Sequence, residues 1–140
     1  MSNTEALVRE YMECFNSRDW DRYRGMLHPE YSYTGGDGDQ VKGGPDVGLG
    51  VAQMFANAMS DAKIDVKKIY VAGDTALVEF IGSGTHDGDF QGIAPTGKKV
   101  TLPVCDVVDV RDGKIIAERE YMDMMHMMQQ LGVVPAAATA

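Results

Sequence analysis

The chain has 140 residues, of which 44% are apolar and 24% charged, a composition typical of one ordinary globular domain. Its net charge of −8 argues against nucleic-acid binding, because the phosphates would repel such a surface. No apolar run reaches the roughly 18–20 residues that cross a bilayer, and the first residues lack the pattern of a signal peptide. The sequence therefore predicts a cytoplasmic protein that does not bind membranes.

Two helices are predicted at the start of the chain. Ser2 and Glu5 have the spacing of a capping box, and apolar residues follow at helical intervals, which predicts a first helix over about 4–16. Asp19 is expected to cap a short second helix. We expect this helix to end at His28-Pro29, because a proline disfavours the helical conformation of the residue before it.

The second half of the chain changes to the alternating pattern of strands. Pro45 is expected in the first turn of a third helix, and four strands follow, with a slip in their alternation at Lys67-Lys68. Asp112-Gly113, between the last two strands, is a strong hairpin signal. This order predicts an α+β fold, a curved antiparallel sheet with helices on one face. We expect a single domain over 1–133 and a flexible tail over 134–140.

The last hairpin contains the candidate site. Counting outward from Asp112-Gly113 places Asp106 opposite Arg119, with Tyr121 and Asp123 on the same, otherwise apolar face. A charge on a core-facing position needs a partner, a metal or a solvated cavity. Asp106 and Arg119 are interpreted either as a structural ion pair or as part of a ligand site. Asp123 is interpreted either as a general base whose pKa is raised by desolvation or as the N-cap of the segment 124–131.

The same count assigns other side chains to the opposite face of the hairpin. The residues expected there are Val107, Asp109, Ile116, Glu118, Glu120 and Met122.

Neither a metal site nor a disulfide is indicated by the remaining candidate ligands. The histidines at 28, 86 and 126 are scattered, without the spacing of a metal-binding pair. Cys14 and Cys105 lie far apart and are expected to be reduced, partly buried thiols.

Three stretches cover much of the chain: NSRDWDRYRGMLHPEYSY after the first helix, GTHDGDFQGIAPTGKKV, and VCDVVDVRDGKIIAEREYMDMMHMMQQLGVVP. They resemble the opening, a typical inner stretch and the ending of SnoaL-like polyketide cyclases, which belong to the nuclear-transport-factor-2-like superfamily. The resemblance implies an NTF2-like cone, also described as a cystatin-like α+β barrel, in which the N-terminal helices pack on the concave face of the sheet.

The resemblance also implies an activity. These enzymes perform an intramolecular aldol cyclisation without metal or cofactor, and an aspartate near the end of the last strand is taken to remove the substrate proton. Asp123 matches that aspartate best, and Asp106 matches a polar residue of the preceding strand. The pocket residues implied by the family are Phe15, Tyr33, Met54, His86 and Tyr121. The expected substrate is a medium-sized apolar carbonyl compound.

Other functions remain open on the same fold. A ketosteroid-isomerase-like isomerase would use a similar base. An epoxide hydrolase would use an Asp-Arg-Asp set, whose residue types Asp106, Arg119 and Asp123 supply in a different order along the chain. A module that binds a small hydrophobic ligand without catalysis is the third alternative. The family also implies a homodimer formed through the outer face of the sheet.

Overall fold

The structure is a computed structural model that describes residues 2–135. Over these residues it contains four helices and six strands, in the chain order α1 (Asn3–Ser17), α2 (Trp20–Gly25), β1 (Leu27–Thr34), β2 (Gln40–Lys42), α3 (Pro45–Ala58), β3 (Lys63–Ala72), β4 (Thr75–Thr85), β5 (Lys99–Arg111), β6 (Lys114–Met122) and α4 (Met124–Leu131). Most of the tail predicted over 134–140 lies outside the described residues. None of the helices described is both long and apolar enough to cross a membrane.

The strands form one sheet in the order β2-β1-β6-β5-β4-β3. Strands β3 to β6 are the antiparallel meander that the sequence predicts, and α1 and α3 pack against the sheet. The α+β class is therefore confirmed. The sheet is mixed rather than wholly antiparallel as predicted, because β6 pairs with β1 in parallel.

The helix starts are set by the predicted caps. Ser2 Oγ accepts a hydrogen bond of 3.1 Å from the backbone N–H of Glu5, and Asp19 Oδ1 accepts one of 3.3 Å from that of Arg22. The predicted end of α2 was wrong, since β1 already begins before His28-Pro29. Pro29 fits this strand because the pairing of β1 with β6 is irregular there, where no ladder N–H is required.

Strand register depends on two bulges. The slip expected at Lys67-Lys68 is confirmed by an irregularity between Val66 and Lys68 in the pairing of β3 with β4. A second bulge lies between β5 and β6. The turn at Asp112-Gly113 pairs Arg111 with Lys114 and Val110 with Ile115, as expected, but Asp109 then pairs with Ala117. Ile116 is the extra residue of this bulge.

Helix α3 lies so close to β1 that a side chain at Gly48 would collide with it. A Cβ atom there would be 2.6 Å from Leu27 Cδ1 and 2.9 Å from Tyr31 Cε1. Both neighbours are buried, and a hydrogen bond from Tyr31 to Glu118 also fixes the Tyr31 ring. Gly48 therefore sets the distance between α3 and β1.

We predict that Gly48→Ala lowers the free energy of unfolding by about 1–3 kcal/mol, the usual cost of overpacking. Gly50→Ala is the matched control, because the same helix has nothing within 4 Å of that Cβ position. It should raise stability by up to about 1 kcal/mol, since alanine is the better helix former. Urea denaturation of both variants measures the difference, and equal changes would contradict the close packing.

Candidate functional site

The bulge at Ile116 determines which side chains of β6 face the helices. Successive side chains of a strand point to opposite faces, so one extra residue reverses every later position. Glu118 and Glu120 consequently point inward, and Glu118 is buried with 5% of its surface exposed. Their predicted place on the outer face was wrong, and so was that of Met122, which also lines the interior.

Asp106 faces inward, as predicted, but its neighbour differs from the prediction. It is 1% exposed and pairs across the strands with Glu120 rather than with Arg119. Within the described part of the chain, Asp106 Oδ1 has no hydrogen-bond partner. The interior face of the last hairpin thus carries three carboxyl groups at adjacent positions.

Tyrosine hydroxyls from α1, α2 and β1 surround Glu118. Tyr11 and Tyr31 both donate to Glu118 Oε1, Tyr31 over 2.8 Å. The hydroxyl oxygens of Tyr11 and Tyr23 are 2.6 Å apart. Because Tyr11 has one hydroxyl proton and gives it to the carboxylate, Tyr23 donates to Tyr11. Stacking of the two rings, with centroids 4.4 Å apart, holds this arrangement.

Glu120 has a separate donor. The hydroxyl of Tyr33 donates to Glu120 Oε1 over 2.8 Å. Both side chains are only partly buried, in contrast to Asp106 and Glu118. Glu120 is therefore the carboxyl group of this cluster most open to an incoming molecule.

These side chains line an open cavity with roughly 900 Å³ of empty space, a volume that includes solvent at its mouth. Most of its wall is apolar, including Met12, Phe15, Phe55, Phe80, Leu102 and Met127. The carboxyl groups and tyrosines form its polar end. Lys63, which is exposed, is the one cation among the described lining residues.

Burial and like charge change the proton affinity of the cluster. Burial first, and then the charge of Glu118, raise the pKa of Glu120 from its ordinary 4.5 to about 7. The same two causes raise the pKa of Asp106 well above its ordinary value. Burial and the neighbouring carboxylate also raise the pKa of Tyr11 and Tyr31, so both stay protonated donors.

The structure brings some of the predicted site residues together and not others. Phe15 and Tyr33 line the cavity with Asp106. Arg119 lies on the outer face, where its Nη1 is 2.7 Å from Asp109 Oδ2. Tyr121 is 60% exposed on the same face. Their predicted inward positions were wrong, because the register count contained no bulge.

Asp123, Met54 and His86 do not line the cavity. Asp123 is exposed, and its Oδ1 accepts a hydrogen bond of 3.0 Å from the backbone N–H of His126, so it is the N-cap of α4. His86 is fully buried and accepts a hydrogen bond from the backbone N–H of Thr96. Among residues 2–135, no group of three or more potential metal ligands could hold an ion.

Glu118, Glu120 and the tyrosines at 11, 23 and 31 were not among the predicted site residues, whereas Tyr33 was. A signal for the bulge exists: Ile115 and Ile116 are consecutive apolar residues that interrupt the alternation of β6. A break of this kind led to the correct prediction at Lys67-Lys68.

The raised pKa values predict how stability changes with pH. The folded protein keeps protons on Glu120 and Asp106 that the unfolded chain has released, so their stabilising effect is complete below about pH 4 and is lost as pH rises. For Glu120 this loss extends through about pH 7. The melting temperature should therefore fall between pH 5 and about pH 8. Each retained proton changes the free energy of unfolding by at most about 1.4 kcal/mol per pH unit.

Calorimetry across this range tests the sign. Glu120→Gln should flatten the profile, because glutamine does not titrate. Asp123→Asn, at the exposed N-cap, should leave the profile unchanged in shape. A melting temperature that rises from pH 5 to pH 8 would contradict the protonated cluster.

The sequence matches the SnoaL-like polyketide cyclase family over residues 5–131. The aklanonic acid methyl ester cyclase AcmA of Streptomyces galilaeus is 28% identical, over 94% of this chain and 92% of its own length. The corresponding cyclase DnrD of Streptomyces peucetius is 25% identical over the same shares. A Catenulispora acidiphila protein with a ketosteroid isomerase-like fold superposes with a TM-score of 0.76, at 16% identity, over 96% of this chain and 97% of that one. The expected relationship is confirmed: this chain belongs to the SnoaL-like polyketide cyclase family, and its two Streptomyces relatives named here are cyclases.

Proposed function

We propose that this protein is a cofactor-independent cyclase in which Glu120 removes a proton α to a carbonyl group of a medium-sized apolar substrate. The observation that carries the proposal is the position of Glu120, a partly buried carboxyl group with a pKa of about 7 on the wall of an apolar cavity. A base with a pKa near the working pH is the most effective general base. The names of the two cyclase relatives suggest aklanonic acid methyl ester, or a similar polyketide ester, as substrate.

The proposed reaction is an intramolecular aldol addition. Ionised Glu120 takes the α proton, the enolate carbon attacks a second carbonyl carbon of the same molecule, and a C–C bond forms. The new alkoxide then takes the proton back from Glu120, so that the carboxylate is restored and no proton is gained or lost. Only proton transfers are required, and a carboxyl group supplies them.

Asp106 has a different role in this proposal. Burial and the charge of Glu118 raise its pKa well above the ordinary value, which disfavours the ionised form that a base needs. Its Oδ1 has no protein partner among the described residues, and the side chain forms part of the cavity wall. We assign it to hydrogen bonding with the substrate, and Phe15 and Tyr33 to packing against the substrate's apolar rings. The apolar wall excludes water from the enolate, which strengthens polar contacts inside the cavity.

The sequence alternatives differ in the support they find. Epoxide hydrolysis by Asp106, Arg119 and Asp123 is not favoured, because Arg119 and Asp123 lie outside the cavity. An isomerase would use the same base, and the non-catalytic binding module would use the same cavity. Measurements of product formation and of proton transfer are therefore needed to distinguish these two alternatives from the cyclase.

We predict that Glu120→Gln lowers turnover of aklanonic acid methyl ester by about 10²–10⁴-fold, the usual contribution of a general base. Asp123→Asn is the control and should retain turnover, because asparagine is also a good N-cap. Chromatography of the cyclised product measures turnover, and deuterium uptake α to the carbonyl measures the proton transfer alone.

Each result has a defined meaning. Full activity in Glu120→Gln would exclude Glu120 as the base. Deuterium uptake without ring closure would support the isomerase alternative. A wild-type protein that binds the ester but performs neither reaction would support the binding module.

We further propose that the protein works in the cytoplasm as a single domain over residues 1–133 and as a homodimer through the outer face of the sheet. In support of the dimer, Tyr70 and Leu77 pair across β3 and β4 and are 48% and 39% exposed, with Val107 next to Leu77 on β5. Adjacent exposed apolar side chains of this kind favour association.

We predict that Leu77→Glu converts the dimer into a monomer in sedimentation-velocity experiments, since it buries a charge in the proposed interface. Val41→Glu is the control, because Val41 is 49% exposed on the distant strand β2. A monomeric wild-type protein, or a Leu77→Glu variant that remains dimeric, would contradict this interface.

A further inference from the structure

Glu118 is not the proposed base, yet it is the residue around which the polar end of the cavity is built. We infer that Glu118 is a positioning residue: it carries a fixed negative charge in the wall of the cavity and thereby holds protons on Asp106 and Glu120. The inference rests on the proposed function, because it explains how the base acquires its proton affinity. Its test, however, needs no turnover.

The hydrogen bonds of Glu118 favour its ionised form. Two tyrosine hydroxyls, of Tyr11 and Tyr31, donate to the same oxygen. Bonds donated to a carboxylate stabilise the charged state and are among the stronger ones in proteins. Tyr23 donates to Tyr11 and polarises its hydroxyl, which strengthens the chain of bonds. All these groups are buried, which limits the access of water to Glu118.

The other two carboxyl groups are held less strongly in their ionised forms. Glu120 receives one bond, from Tyr33, and Asp106 Oδ1 receives none within residues 2–135. When only one of three neighbouring carboxyl groups is ionised, the negative charge is most stable on the group that accepts the most hydrogen bonds. Glu118 therefore holds the charge, and the proton stays on its neighbours.

No cation among the described residues forms an ion pair with this charge. None of the ion pairs within the described residues includes Asp106, Glu118 or Glu120. Lys63, the one cation among the described lining residues, is exposed to water. Asp106 pairs directly with Glu120, and Glu118 is two residues from Glu120 on the same face. Directly opposed residues such as Asp106 and Glu120 have Cβ atoms about 4.5–5.5 Å apart, and diagonal neighbours such as Asp106 and Glu118 about 7–8 Å. Ionising a second carboxyl group in this cluster is therefore unfavourable.

The direction of the pKa shifts agrees with this geometry. After burial, the charge of Glu118 is the largest cause that raises the pKa of Asp106 and that of Glu120. Tyr33 acts in the opposite sense, because its bond to Glu120 lowers the pKa of that carboxyl group. Replacing Glu118 and replacing Tyr33 should therefore move the titration of Glu120 in opposite directions.

Carbon-13 NMR of labelled side-chain carboxyl groups in the ligand-free full-length protein tests the inference. Glu118→Gln should move the midpoint of Glu120 from near 7 to lower pH by at least one pH unit. Tyr33→Phe, the matched control, should move it to higher pH. The acid limb of the pH profile of kcat/KM should follow the same two directions, which a merely structural role of Glu118 would not produce.

A wild-type measurement keeps the inference testable if Glu118→Gln does not fold. On lowering the pH, Glu118 should keep the chemical shift of an ionised carboxyl group after Glu120 has taken up its proton. Uptake by Glu118 first, or an unchanged Glu120 midpoint in folded Glu118→Gln, would overturn the inference and leave Glu120 as the base. Conversely, full activity of Glu120→Gln would remove the proposed base without altering these titrations.

Discussion

One extra residue in the pairing of β5 with β6 determines the character of the cavity. Without the bulge at Ile116, Asp106 would face Arg119, and the interior would hold a neutralised ion pair. With it, Arg119 reaches Asp109 on the outer face, and two glutamates join Asp106 inside. Within the described part of the chain, these interior carboxyl groups form no ion pair, the condition under which such groups retain protons near neutral pH.

The rest of the molecule accommodates that charge with hydroxyl groups. Helices α1 and α2 and strand β1 each contribute tyrosines, whose rings belong to the core while their hydroxyls reach the carboxyl groups. Gly48 allows α3 to lie against Tyr31, so a backbone position in one element supports a hydrogen bond in another. The arrangement lowers the free energy of unfolding at neutral pH. The unfolded chain releases the protons of these carboxyl groups there, whereas the folded chain must retain them or bury additional negative charge. Such a cost is common where a site needs a perturbed proton affinity.

Much of the fold was predictable, because local signals specified it. The caps at Ser2 and Asp19, the proline at 45 and the turn at Asp112-Gly113 each act over a few residues. The site was less predictable, because it depends on whether one residue enters the pairing. Two consecutive isoleucines at 115 and 116 indicate a bulge, but they equally fit a strand buried on both faces, and the sequence does not decide between these. Of the predicted site residues, Asp106, Phe15 and Tyr33 line the cavity. Asp106 lies on the strand without the extra residue, so the predicted register gave its face correctly.

The same bulge affects how family resemblance transfers to single residues. Two acidic residues, Glu120 and Asp123, lie near the end of the last strand. Position along the chain alone does not show which of them corresponds to the base of the family. Their surroundings do, because Asp123 binds the backbone of α4 outside the cavity whereas Glu120 lies on its wall beside Glu118. A general base must reach the substrate and must be basic enough to take its proton. Access and a neighbouring charge, rather than burial alone, therefore make Glu120 the candidate.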